Sequence, residues 1–282
     1  DATDADADAD ADSYTDSYTD TDTASSNVEE DVKSEFRLVL VGDSPIEGIG
    51  NKEHFETLGG QTALAFSKLL RRSVRYWSYG KCGLTARGVE DEMVPLVQRL
   101  SRRYTKIDAI VVMCGVNNVL SGHSADHFGN EVRGLLDSLV SFCPCPIIVI
   151  DLIDFAFMPF LPFPLSKILS WRSQALQTEL EAIVNGYGED ERLGHRRRLI
   201  RMAYMPDMPQ ILRNTNNDSL LPEYISSLEP RASLRLDQFF ADDNFHPALL
   251  GNALIGKAIV DAYTQLLQLS TIQDNAGLKN IS

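Results

Sequence analysis

Residues 36–44 read Phe36-Arg37-Leu38-Val39-Leu40-Val41-Gly42-Asp43-Ser44. A short apolar run that stops at a glycine is the pattern of a buried strand closed by a turn. Downstream, 60–70 reads as a helix, and 74–78 as a second strand closed by Tyr79-Gly80. Residues 88–103 have helical spacing, with Val89, Met93, Leu96, Val97 and Leu100 on one face. A third strand is expected at 107–113, an amphipathic helix at 127–142 and a fourth strand at 146–150. Helix at 165–184, strand at 199–204 and a closing helix at 247–267 complete the pattern. Strands alternating with helices predict an α/β fold whose parallel sheet is covered on both faces. No internal repeat and no second core is visible.

Upstream of Phe36 the chain changes character. Residues 1–34 begin with alternating Asp and Ala and pass through two Ser-Tyr-Thr-Asp units. Such a segment buries too little apolar surface to offset its ordering entropy, so a disordered acidic tail is expected. Twelve acidic residues and no Lys or Arg fall within 1–32, which accounts for all but two of the net −14. The acidity is therefore a property of the tail. The expected division is a tail at 1–34, one domain at 35–269 and a loose tail at 270–282.

Without a dense basic stripe, nucleic-acid binding has no support. The one basic cluster, His195-Arg196-Arg197-Arg198, leads into an apolar run and reads as a solvated strand entrance. No stretch is long enough to span a membrane. Cys82, Cys114, Cys143 and Cys145 are too dispersed for a disulfide framework, and the single residue between the last two places them badly for bridging. Free buried thiols are expected, a weak pointer to an intracellular compartment. The chain starts at Asp1 rather than Met, so targeting is not read from it, and oligomeric state is not legible either.

In open parallel sheets, functional groups gather beyond the carboxyl ends of the strands. Four segments fall there: Gly42-Asp43-Ser44, Gly80 to Thr85, Gly115-Val116-Asn117-Asn118, and Asp243-Asn244-Phe245-His246-Pro247 before the last helix. Alone, Ser44 would read as a helix cap, Asn117 and Gly83 as turn residues and Asp243 as a cap of the final helix. Together they suit nucleophilic chemistry. A Ser hydroxyl needs a base, which His246 supplies near neutral pH, and Asp243 lies close enough in sequence to orient that ring. An oxyanion needs fixed donors. The Ser44 N–H, the Gly83 N–H and the Asn117 amide are candidates. The other histidines, His54, His123, His127 and His195, are expected on the surface.

These segments resemble the four blocks of the SGNH/GDSL hydrolase family, in order and at similar separations, over roughly 36–267. The Pro after the Ser, Pro45, is similar to a bacterial-type branch. The resemblance implies a three-layer α/β/α sandwich with a flavodoxin-like sheet, no cofactor or metal, and hydrolysis of carboxylic esters or thioesters. One position departs from the pattern: the third block usually ends in Asp, and here stands Asn118. The alternatives left open are an inert SGNH-like module holding an acyl or sugar ligand, and a carbohydrate deacetylase or acyltransferase. Two other motifs fail. Gly251 to Lys257 resembles a phosphate-binding loop but has Ala258 where Ser or Thr is required, and it lies in a helical pattern. No Gly-x-Ser-x-Gly elbow occurs.

Residues 154–165 carry four phenylalanines and three prolines after the fourth strand, and the prolines forbid a regular helix or central strand. Loops beyond strand ends carry binding groups, and small-ligand pockets are mostly apolar. About half of the phenylalanines are expected to pack on the domain itself, and some of Phe157, Phe160 and Phe163 to line the acyl or alcohol pocket and favour apolar esters.

Overall fold

The computed structural model describes residues 35–104, 106–158, 160–189, 199–205 and 235–279. The acidic tail, the basic cluster at 195–198 and the end of the chain lie outside the described residues. Among the described residues five strands form the sheet: β1 (Phe36–Gly42), β2 (Val74–Gly80), β3 (Ala109–Met113), β4 (Ile147–Ile150) and β5 (Ile200–Ala203). Their order is β2-β1-β3-β4-β5 and every pairing is parallel. This is the flavodoxin-like order, in which the winding direction switches between β1 and β3 and leaves a crevice at their carboxyl ends.

Eight helices flank the sheet among the described residues: α1 (Ser44–Glu47), α2 (Leu58–Leu70), α3 (Ala86–Gly88), α4 (Val94–Arg103), α5 (Val116–Leu120), α6 (Ala125–Phe142), α7 (Leu165–Glu189) and α8 (Leu249–Lys279). Successive residues of a strand face opposite sides, so β1 supplies both cores. Leu38 and Leu40 join Val111 and Ile148 against α2 and α8. Val39 and Val41 join Ile110, Val112 and Val149 against α4, α6 and α7. All four β1 side chains are fully buried, each contributing about 1.5–3 kcal/mol relative to exposure. On the α2 and α8 side Phe66 stacks on Phe36 at 4.9 Å and meets Tyr263 edge-on at 5.1 Å. The layers are those of the expected α/β/α sandwich.

Where elements differ from expectation, local chemistry accounts for it. Helix α2 starts at Leu58 because the Thr57 side chain accepts a hydrogen bond from the Gly60 N–H and caps it. Between α3 and α4 the helix widens into a π turn, Val89–Met93, just before Pro95, which has no N–H to return to the preceding turn. Helix α8 runs to Lys279, through the stretch expected to be loose from residue 270; no Gly or Pro falls between Lys257 and Ala276 to stop it. The phosphate-loop look-alike at 251–257 lies inside this helix. All four cysteines are free thiols. Cys143 and Cys145, expected to be badly placed for bridging, are free thiols whose sulfurs lie 2.9 Å apart.

Two strands end in carboxylates, one buried and one half-buried. Asp43 follows β1 and is 1% exposed, and Asp151 follows β4 with its Oδ1 accepting from the Met205 N–H at 2.9 Å. Burial raises both to about 7. A carboxyl whose folded-state value lies above the unfolded one near 3.8 favours the native state below that lower value. Its contribution is lost as pH rises toward 7. For Asp43 alone the loss is on the order of 4 kcal/mol. Asp43→Asn removes this dependence, so the variant should gain several degrees of melting temperature over the parent at pH 8 and far less at pH 4. Equal differences at the two pH values in thermal melts would contradict the burial argument.

Candidate active site

Ser44 stands at the first position of α1, immediately beyond β1. Helix α1 lies directly on the end of β2: a Cβ at Gly80 would fall 2.3 Å from the Glu47 nitrogen and 2.8 Å from the Asp43 carbonyl oxygen, so only glycine fits. The chain then folds back, with the Gly48 and Ile49 N–H groups both donating to the Ser44 carbonyl at 3.1 Å. Ser44 itself is 6% exposed.

The last block builds its own geometry. Asp243 Oδ1 accepts from the backbone N–H of Phe245 (2.9 Å) and of His246 (3.0 Å), closing a tight turn. Asn244 sits inside that turn at φ 57°, a left-handed conformation Asn tolerates well. With Oδ1 so engaged, Oδ2 is left for the His246 ring, 2.5 Å from Nδ1. Partial burial pushes the Asp243 carboxyl upward, but the hydrogen bonds from the His246 ring and the two N–H groups outweigh it and hold it below the ordinary value. The Nε2 atom of His246 is buried and has no hydrogen-bond partner among the described residues, Ser44 Oγ included.

Two asparagines that the sequence reading overlooked hold this turn to the Ser44 loop. Asn51 Nδ2 donates to the carbonyls of Gly48, Ile49 and Pro247. Asn252, fully buried on α8, donates to Asn51 Oδ1, the Glu56 carbonyl and the Pro247 carbonyl at 2.8–3.2 Å. Consequently Gly50 lies against His246, where a Cβ would be 3.2 Å from the His246 Cβ and 2.6 Å from Ala241. Asn252 could have been noticed as an amide among the apolar residues Leu249, Leu250, Ala253 and Leu254. Asn51 carries no comparable signal.

The other two blocks meet at the same rim. Gly83 is exposed at φ +85°, with nothing among the described residues within 4 Å of where a Cβ would stand. Asn117, at the start of α5, donates through Nδ2 to the Leu84 carbonyl (2.9 Å) and to Asp43 Oδ2 (3.3 Å), joining the second, third and first blocks. Asn118 is fully buried. Its Oδ1 accepts from the Ala86 N–H at 3.0 Å, and its Nδ2 donates to Glu131 Oε2 at 2.6 Å. That donor is what an Asp at this position would lack, and it explains the departure from the usual block. His54 and His127 are exposed as expected, whereas His123 is largely shielded and stands 3.0 Å from Asn118 Nδ2 through its Nδ1. His195 lies outside the described residues.

Of the Phe loop, Phe155 is core. Phe160 meets Phe245 edge-on at 5.4 Å, and Phe245 in turn meets the His246 ring at 4.9 Å. Phe163 is 81% exposed, and the side chain of Phe157 lies outside the described residues. A cavity of about 170 Å³ opens beside α1, lined among others by Gly48, Asn51, His54, Thr57 and Tyr76. Neither Ser44 nor His246 lines it.

No curated protein matches the chain. Solved structures do. A lipase, Lip_vut3, from a goat rumen metagenome is 12% identical with a TM-score of 0.54, over 80% of this chain and 97% of that one. A member of the lipolytic G-D-S-L family from Veillonella parvula DSM 2008 is 14% identical with a TM-score of 0.50, over 81% and 98%. LAE5, an alpha/beta hydrolase enzyme from the metagenome of Lake Arreo, Spain, is 18% identical at the same TM-score, over 82% and 96%. At these identities the likeness is one of fold. The model of the GDSL-like Lipase/Acylhydrolase family matches residues 38–259, most of the chain. With that match and that fold, the chain belongs to the GDSL-like lipase/acylhydrolase family and is a hydrolase of ester substrates.

Proposed function

We propose that the protein is a serine carboxylic-ester hydrolase that works through an acyl-enzyme on Ser44. The observation that carries this is the bond between His246 Nδ1 and Asp243 Oδ2 (2.5 Å), which leaves Nε2 buried and unpaired on a turn tied to the Ser44 loop. In the neutral tautomer that donates through Nδ1 the lone pair lies on Nε2, the form a general base needs. Hydrogen bonds at a resting site often close only when substrate binds. Nε2 then removes the Ser44 proton as Oγ attacks the acyl carbon, and returns it to the departing alcohol. Water, deprotonated by the same nitrogen, releases the acid and restores Ser44.

Three donors would meet the oxyanion: the N–H of Ser44, the N–H of Gly83 and the amide of Asn117. The Asn117 amide has two protons, one directed at Leu84 and one in the longer contact to Asp43. The second is the one to be turned toward the developing charge. Of the three loop phenylalanines, Phe160 is the best placed to touch an acyl or alcohol chain, through Phe245 beside His246. Phe163 would meet substrate only from the rim. This aromatic pair favours an apolar ester over a free sugar ester.

Ser44→Ala should keep the fold and lower the turnover of a nitrophenyl ester by about 10⁴-fold or more. A folded variant hydrolysing the ester near the parent rate would remove Ser44 from the mechanism. Phe160→Ala should shift the preference along a series of esters of increasing acyl length while leaving acetyl-ester cleavage within a few-fold of the parent. An unchanged profile with lowered stability would make Phe160 a packing residue only.

A further inference from the structure

Behind Asn118, on the sheet face covered by α6, lies a second group of chemically capable side chains with no part in the ester chemistry above. Helix α6 is capped by Ser124, whose hydroxyl accepts from the His127 N–H. His127 and Glu131 are one turn apart on the same face, and His123 stands just before the cap. Both rings converge on one carboxylate oxygen: His127 Nε2 is 2.8 Å and His123 Nδ1 3.6 Å from Glu131 Oε1. The rings meet edge-on with centroids 4.4 Å apart, and the three ligand atoms all lie within 4.8 Å of one another.

We propose that His123, His127 and Glu131 form a binding site for one divalent cation of zinc-like preference. Two imidazoles and a carboxylate suit zinc and its neighbours, whereas magnesium and calcium select oxygen ligands. At zinc bond lengths near 2.0–2.2 Å, tetrahedral ligand atoms stand roughly 3.3 Å apart. The two nitrogen-to-oxygen distances bracket that value, and the two nitrogens, within 4.8 Å of each other, would close toward it around the ion. A fourth position remains for water. The feature that sets this group apart from an ordinary surface pair of His and Glu is the support behind it. Glu131 is 10% exposed, and its other oxygen is fixed by Asn118 Nδ2 (2.6 Å) and the Arg87 N–H (3.3 Å), turning Oε1 toward the rings. Such hydrogen bonds to a ligating carboxylate orient it for the metal. The turn carrying His123 is itself pinned, with Arg172 donating to the carbonyls of Val119 and His123.

The site is coupled to the rim through Asn118, which contacts His123, Glu131 and the Ala86 N–H and adjoins Asn117. A cation on His123 Nδ1 takes the lone pair facing Asn118 and leaves that amide to Glu131 and Ala86. The ion thus braces the turn between α5 and α6 and, with it, the loop of Asn117. The test is a calorimetric titration of the chelator-treated full chain with Zn²⁺, backed by Co²⁺ absorption to report coordination number. One Zn²⁺ should bind per chain, raise the melting temperature and, as Co²⁺, give the strong visible band of a four-coordinate site. His127→Ala should weaken binding by at least the 10–100-fold seen for loss of a supporting partner, and Glu131→Gln should do likewise. His54→Ala should leave it unchanged. His127 is more than half exposed, so its variant folds, as an unchanged metal-free melting temperature would verify. Failure of the parent to take up Zn²⁺, or equal uptake by parent and His127→Ala, would overturn the proposal.

Discussion

The carbonyl of Pro247 accepts hydrogen bonds from both Asn51 and Asn252, and through it two segments almost two hundred residues apart in sequence are held side by side at the sheet's rim. The Ser44 loop lies on one side of this knot and the turn of Asp243 and His246 on the other. A hydroxyl and an imidazole brought from such distant parts of a chain would otherwise lose their alignment to loop entropy. Because Asn252 is buried within α8, a residue of the helical layer anchors a feature of the rim. Removing its amide would leave the Pro247 carbonyl to Asn51 alone and take a donor from the part-buried Glu56 carbonyl. Packing and site geometry are thus the same constraint here.

A second consequence of the architecture is electrostatic. Placing Asp43 at the junction of β1, β3 and α1 buries a carboxyl whose Oδ1 has no partner among the described residues. The backbone N–H of Asp43 itself is spent on the Met113 carbonyl at 3.2 Å. The fold tolerates this group because Asn117 offers it a hydrogen bond and because it can hold its proton near neutrality. Asn117 is thereby held in place by the residue next to Ser44. The rim is preorganised by contacts among its own blocks.

Much of this was legible in the sequence. The apolar runs at 36–41 and 107–113 marked two central strands within two residues at either end, since a parallel strand covered on both faces is predominantly apolar, with Arg37 and Asp108 the exceptions. Three polar blocks after strand ends, with a fourth before the last helix, marked the rim, and the Asp-x-x-His spacing put Asp243 within reach of the His246 ring. What escaped notice was polar and wholly or partly buried. Asn51, Asn252 and the Asn118 network satisfy partners distant in sequence, and a single amide in a string carries no sign of which carbonyl it will meet. The Phe loop was only half readable: three prolines excluded a regular element, but nothing in the run distinguished buried Phe155 from exposed Phe163.

The central claim is that His246, oriented by Asp243, activates Ser44. Covalent labelling by a fluorophosphonate tests it most directly, because the reagent needs an activated serine and no knowledge of the natural ester. The account predicts one adduct per chain, located on Ser44 by peptide mass spectrometry, with labelling at least about 10³-fold slower in His246→Ala. Labelling of another residue, or an unchanged rate at Ser44 in the folded His246→Ala variant, would contradict it.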